Sequence, residues 1–111
     1  MDAQLKAKWV EALRSGDYQQ TTGTLRDGDS FCCLGVLCDI SGAGRWEPVE
    51  RASARPHLHQ YVIGENYNQQ YLPAALKAPN GLSDNIVDPL MDMNDSGNTF
   101  KQIADYIEKN L

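Results

Sequence analysis

The sequence predicts a small α+β domain: three main helices, one of them buried and cysteine-rich, packed on a short antiparallel sheet. Three observations predict it. Apolar stripes at helical spacing occupy both ends of the chain. A nearly all-apolar segment at residues 31–40 holds all three cysteines. Between these lie short threonine-rich or alternating stretches, broken by glycine and proline, that suit brief strands. At 111 residues the chain suffices for one hydrophobic core, so residues 1–111 are expected to form a single domain.

Taken in order, Asp2 is placed to cap a first helix whose Leu5, Trp9, Ala12 and Leu13 share one face. Ser15-Gly16-Asp17 ends it, since glycine suits the left-handed position past a helix terminus. Residues 19–25 predict a short edge strand interrupted at Gly23, followed by a turn at Asp27-Gly28-Asp29. Asp29 or Ser30 is expected to cap the second helix, over residues 31–40. A helix without a polar face belongs at the centre of a domain, and Gly35 would let another element approach its backbone. Residues 45–70 are irregular except for an alternating strand at 58–63. Pro73 opens a short helix at 74–77, stopped by Pro79-Asn80-Gly81. Residues 86–93 predict one more strand, with Pro89 putting it at an edge or bend. Thr99 and Gln102 have capping-box spacing, and Phe100, Ile103, Ala104, Ile107 and Leu111 form the stripe of the last helix.

Ten Lys and Arg against fifteen Asp and Glu give a formal charge of −5. Such a chain supplies too few cations for sequence-independent nucleic-acid binding. No apolar run approaches the length of a membrane span, and no signal-peptide core opens the chain. A cytoplasmic location is expected, with no membrane partner. Three cysteines crowded into seven residues suit reduced thiols better than a disulfide framework.

Several runs carry a family resemblance. They are Trp9-Val-Glu-Ala-Leu-Arg-Ser-Gly-Asp-Tyr18 with Gln20, Leu25-Arg26, Phe31-Cys-Cys-Leu-Gly-Val-Leu-Cys-Asp39 and Leu72-Pro73. Met93-Asn-Asp-Ser-Gly-Asn-Thr-Phe100 and Ile103-Ala-Asp-Tyr-Ile107 complete the set. Together they resemble a family of small proteins common in tailed phages and prophages. Residues 43–71 lie outside the resemblance. It implies a setting rather than a chemistry: small phage accessory proteins often serve host takeover or anti-defence. Some sequester nucleotide-derived immune signals, some block host proteins and some degrade signals.

Cys32 and Cys33 fall at the start of a capped helix, where free N–H groups favour thiolate. With His57 or His59 from the following strand, the order resembles papain-like amidases that cleave cell-wall peptides. Their usual Asp-Cys-Ser-Gly run is here Phe-Cys-Cys-Leu-Gly, however. Buried cysteines acting as small hydrophobes are the preferred reading, so no catalytic residue is assigned. The Cys-Cys-x4-Cys spacing inside a helix does not suit structural zinc, and no metal or cofactor is expected.

Asn94 and Asp95 precede the last helix, whose first N–H groups could meet an anion, with Arg14, Tyr18 and Arg26 closing on a phosphate or ribose. The competing reading is a turn whose Asn and Asp bond their own backbone, with Arg14 as a helix C-terminal cation. Trp46, Tyr61, Tyr67 and Tyr71, set among Asn and Gln, suit base stacking or a protein partner.

The leading expectation is therefore a non-enzymatic phage-type accessory protein that binds and sequesters a small nucleotide-like ligand through Arg14, Tyr18, Arg26, Asn94 and Asp95. The aromatic middle segment would form a lid or rim. The alternatives are a protein-binding inhibitor of a host or defence protein, and a thiol hydrolase using Cys32 or Cys33. A homodimer is the default assembly expected.

Overall fold

The computed structural model describes residues 1–49 and 57–111. Helix α1 spans Ala3–Ser15. The Asp2 carboxylate accepts the Leu5 N–H at 2.8 Å, satisfying one of the free donors of the first turn. Gly16, at φ 81°, turns the chain out of the helix. Trp9, Val10 and Leu13 are buried, and the indole N–H of Trp9 donates to the Cys33 carbonyl at 2.9 Å.

Three two-residue strands follow: β1 at Gln19–Gln20, β2 at Arg26–Asp27 and β3 at Ser30–Phe31. Strands β2 and β3 form a tight antiparallel hairpin across Gly28, whose φ of 60° a residue with a side chain would resist. The strand expected over residues 19–25 survives only as β1. Beyond it the chain turns at Gly23 (φ 75°) and buries Thr24 and Leu25.

Helix α2 is Cys33–Ser41. The expected cap at Asp29 or Ser30 is corrected, because Ser30 is paired with Asp27 in the hairpin and lies ahead of the helix. Cys32 is the N-cap, its Sγ accepting the Gly35 N–H at 3.4 Å. Residues Cys33 through Cys38 are all buried. Gly35 provides the predicted close approach: a Cβ built there would lie 1.9 Å from the Leu25 carbonyl oxygen. That carbonyl also accepts the Cys32 N–H at 3.1 Å, so Leu25 clamps the start of α2.

Strand β4 (Arg45–Pro48) and β5 (Leu58–Ile63) are antiparallel, and β6 (Asn66–Asn68) returns along β5. The sheet order is β1-β3-β2-β5-β4, with β6 also on β5. Since β1 and β3 run parallel, the sheet is mixed rather than purely antiparallel.

Helix α3 (Ala74–Lys77) runs into a 3-10 turn at Ala78–Asn80 that Gly81 ends at φ 66°. Residues 86–93 are not a strand. They lie within α4, Asp84–Asp95, with Pro89 inside. Pro89 has no N–H for the Asn85 carbonyl, a cost normally reserved for helix starts. Yet Val87, Leu90 and Asn94 are buried at helical spacing, and α4 packs on α2 and α5. Burial overrides local propensity here. Helix α5, Phe100–Asn110, has the full reciprocal box of Thr99 and Gln102. Five α-helices stand among the described residues, against the three main helices and one short helix expected; the added one is α4. Helix α1 lies along α5, and both cover α2 or its partner α4.

Candidate functional site

The five residues predicted to share a site fall in three places. Arg14 projects from the last turn of α1 and pairs with α5: Nη2 lies 2.6 Å from Asp105 Oδ1 and Nη1 2.8 Å from Glu108 Oε2. The hydrogen bond to Glu108, then that to Asp105, raises its pKa further above the usual range. Its guanidinium joins two helices, and it lines a surface groove with Ala7 and Val10, apart from the other four residues.

Tyr18 and Arg26 do come together, around Phe31. The Tyr18 ring meets Phe31 edge-on with centroids 5.1 Å apart, and its hydroxyl donates to Asp39 Oδ2 at 2.5 Å. Burial, then the Asp39 hydrogen bond, pushes the Tyr18 pKa up to about 12. The Arg26 guanidinium stands 5.0 Å from the Phe31 centroid and 5.5 Å from that of Trp46, while its Nε donates to the Gly28 carbonyl. Trp46 donates its indole N–H to Asp39 Oδ1 at 3.1 Å and packs on Tyr61, whose hydroxyl accepts the Gly44 N–H. Both faces of Arg26 chemistry, charge and plane, are thus used inside the protein.

Asn94 and Asp95 form the third place, at the end of α4 rather than in a loop before α5. Asn94 is 1% exposed. Its Oδ1 accepts the Cys33 N–H (3.1 Å) and the Gln20 amide (3.0 Å), and its Nδ2 donates to the Thr21 carbonyl at 2.8 Å. One amide therefore ties α4 to the start of α2 and to β1. Asp95 Oδ1 accepts the Gly23 N–H at 3.1 Å.

Beside this pair opens a cleft of about 280 Å³. Gly23 and Thr24 come from the loop after β1, Cys32 and Cys33 from the start of α2, Gln70 and Tyr71 from the segment after β6, and Met91, Asn94 and Asp95 from α4. Asp95 is the one acidic side chain among them. Tyr71, 63% exposed, stands at the rim. Of these residues the expected ligand site held Asn94 and Asp95, with Tyr71 in its aromatic lid or rim, and Cys32 and Cys33 belonged to the alternative thiol site. Tyr71 was visible as one aromatic in an amide-rich stretch, but its neighbour Gln70 and the floor at Cys32 depend on tertiary contacts.

The cleft floor is chemically quiet. Burial raises the Cys32 pKa to about 11 and those of Cys33 and Cys38 well above the usual thiol range. Cys33 Sγ lies 3.6 Å from the Leu90 carbonyl, as a weak donor should. His57 and His59 stand at the start of β5, outside the cleft lining, with His59 in register with Arg26. Among the described residues no group of three or more His, Cys, Asp or Glu is placed to hold a metal ion, and no helix is long and apolar enough to cross a membrane. Of the expected aromatic rim, Trp46, Tyr61, Tyr67 and Tyr71, only Tyr71 lines the cleft and Tyr61 is buried, and residues 50–56 of the same middle segment lie outside the described residues.

Fold and cleft define the class of protein: a small α+β domain in which a buried cysteine helix backs a half-enclosed polar cleft. The chain belongs to the family described as "Domain of unknown function (DUF8296)", whose model matches residues 1–111. No curated protein and no solved structure matches it.

Proposed function

We propose that the protein binds a small nucleotide-derived ligand in the cleft between α2, α4 and the segment after β6, and holds it without converting it. The observation that carries this reading is the shape and chemistry of that cleft: about 280 Å³, an oriented carboxylate at Asp95, and an aromatic rim at Tyr71. Concave sites with a few convergent polar groups are the default ligand sites of small domains. Protonated, buried thiols without an imidazole partner favour sequestration over a thiol hydrolase. The resemblance to phage accessory proteins supplies the setting, an anti-defence role in the cytoplasm of the host. Arg14 and Arg26, engaged by other elements, are not part of this site.

A thermal-shift screen against cyclic dinucleotides and ADP-ribose derivatives, with chromatography of the recovered compound, tests the proposal. A ligand at about a hundred times its dissociation constant adds about 2.7 kcal/mol. Recovery of intact compound is expected. Recovery of altered compound would refute simple sequestration. No shift across the panel would move the case to a second reading, a protein-binding inhibitor, which the exposed rings of Tyr67 (56%) and Tyr71 favour. Stoichiometric capture of one host protein on the immobilised domain, lost on replacing both tyrosines, would establish that alternative.

A further inference from the structure

The cleft's polar groups are not equally available, and the inequality bears on what can enter. Helix starts ordinarily offer free N–H groups to anions. At α2 three of these donors are used internally: Cys33 N–H by Asn94 Oδ1, Gly35 N–H by Cys32 Sγ and Val36 N–H by the Cys32 carbonyl. The Gly23 N–H is likewise taken by Asp95 Oδ1. No Lys, Arg or His is among the residues lining the cleft. What remains is one acidic group, Asp95, beside the Gln70 amide and the Tyr71 hydroxyl, neutral groups that both donate and accept. Asp95 Oδ1 receives Gly23 and, more distantly at 3.4 Å, Asn94 Nδ2, which fixes the carboxylate plane. Its Oδ2 has no hydrogen-bond partner among the described residues and stays free to accept. The Tyr71 ring and the Met91 thioether supply polarisable walls suited to a flat group.

We infer that the ligand enters the cleft by a planar, N–H-bearing end that is neutral or cationic, an amino-substituted heterocycle of the nucleobase type, and that its anionic groups stay outside. Asp95 is the residue that reads the N–H edge, and Tyr71 the ring that covers it. This rests on the ligand-binding reading above and narrows it. Asp95 is exposed in the free protein, so the discrimination arises where a bound ring covers its carboxylate: an analogue lacking the N–H donor then leaves that oxygen desolvated without a partner. An anionic isostere meets the same carboxylate as a like charge.

The test uses the full chain labelled with ¹⁵N and four probes: adenine, N6,N6-dimethyladenine, benzamidinium and benzoate. The amide resonances of Gly23, Gln70, Tyr71 and Asp95 report the cleft. Adenine and benzamidinium are expected to shift them in saturable fashion, with dimethyladenine and benzoate weaker by about tenfold to a hundredfold. Asp95→Asn should remove the preference of the cleft for benzamidinium over benzoate. Equal binding of the two, unchanged in Asp95→Asn, would overturn the inference while leaving the cleft a ligand site. A nucleotide that perturbs these amides more strongly than its own nucleoside would overturn it in the same way. Silence of the cleft amides with all four probes and with the dinucleotide panel would sink both this inference and the binding proposal. Because Asp95 bonds Gly23, the amide spectrum of the variant away from the cleft serves as the check that it remains folded.

Discussion

Replacing Asn94 by Ala should be the most damaging polar substitution in the protein. The side chain serves three partners from a site that is almost wholly buried. Its loss leaves the Cys33 N–H, at a fully buried residue, without an acceptor, which costs about 1–3 kcal/mol. The Thr21 carbonyl and the Gln20 amide each lose a bond worth about 0.5–1.5 kcal/mol, and both lie nearer solvent, which replaces part of it. A loss of about 3 kcal/mol follows. With an unfolding entropy of about 2.1 cal/mol/K per residue, a chain this long moves by about 4 °C per kcal/mol, so Tm should fall by about 12 °C. Urea unfolding followed by far-ultraviolet circular dichroism, with m unchanged, measures the free energy directly. Asn94→Asp provides the internal control. It keeps an acceptor for Cys33 but presents a second carboxylate oxygen to the Thr21 carbonyl, which only the protonated acid can satisfy. Burial raises such a carboxyl's pKa in the folded state, so the folded chain binds more protons than the unfolded one. The variant's stability should then be greatest in acid and be lost as pH rises through the folded pKa, relative to the wild type. A loss below about 1 kcal/mol in Asn94→Ala, or a flat pH difference in Asn94→Asp, would refute the claim that this amide holds α4, α2 and β1 together.

Gly35→Ala drives a methyl group into the Leu25 carbonyl and should cost about 3 kcal/mol or more in the same urea titration, since neither backbone can yield freely. Native protein treated with iodoacetamide at pH 7 should leave Cys32, Cys33 and Cys38 unmodified by mass spectrometry, with labelling appearing only in denaturant. The raised Cys32 pKa adds a linked effect. The folded thiol keeps its proton beyond the ordinary value of 9.0, so the stability it contributes is complete below that value and is lost as pH climbs toward about 11. Arg14→Ala should leave both Tm and adenine binding at wild-type levels, because its two ion pairs are solvent-exposed and lie away from the cleft. Tyr71→Ala should weaken adenine binding by about 1–3 kcal/mol in calorimetry while leaving Tm of the free protein unchanged.

Signals written within a few residues of each other were legible in the sequence. Asp2, Thr99 and Gln102 mark the starts of α1 and α5 through bonds spanning three positions, and Gly16 ends α1 by its left-handed backbone. Gly35 was readable as well, because a glycine inside an apolar helix has few other uses. Helix α4 was obscured by Pro89, whose local cost is outweighed by Val87 and Leu90 packing on elements distant in the chain. The cap at Cys32 was hidden because a thiol is a poor acceptor on any propensity scale. It serves here because Leu25 and Asn94 hold the helix start in place from outside. The site suffered most. Arg14 looked free in an acidic chain, but Asp105 and Glu108, more than ninety positions later, fold back onto it. Sequence cannot show a salt bridge across that separation.

The pairing of α1 with α5 sets a timetable. Within residues 1–111, α1 is synthesised well before α5, which completes its apolar face. Closing so large a loop is thermodynamically mild, since each doubling of length adds only about 0.6 kcal/mol. Kinetically it is demanding, because contacts of such separation form late. A nascent chain carrying α1 therefore leaves the ribosome with the flank of Val10 uncovered until residues 100–110 emerge. Ribosome-stalled chains ending before and after that segment should differ sharply in protease resistance, with protection appearing in one step.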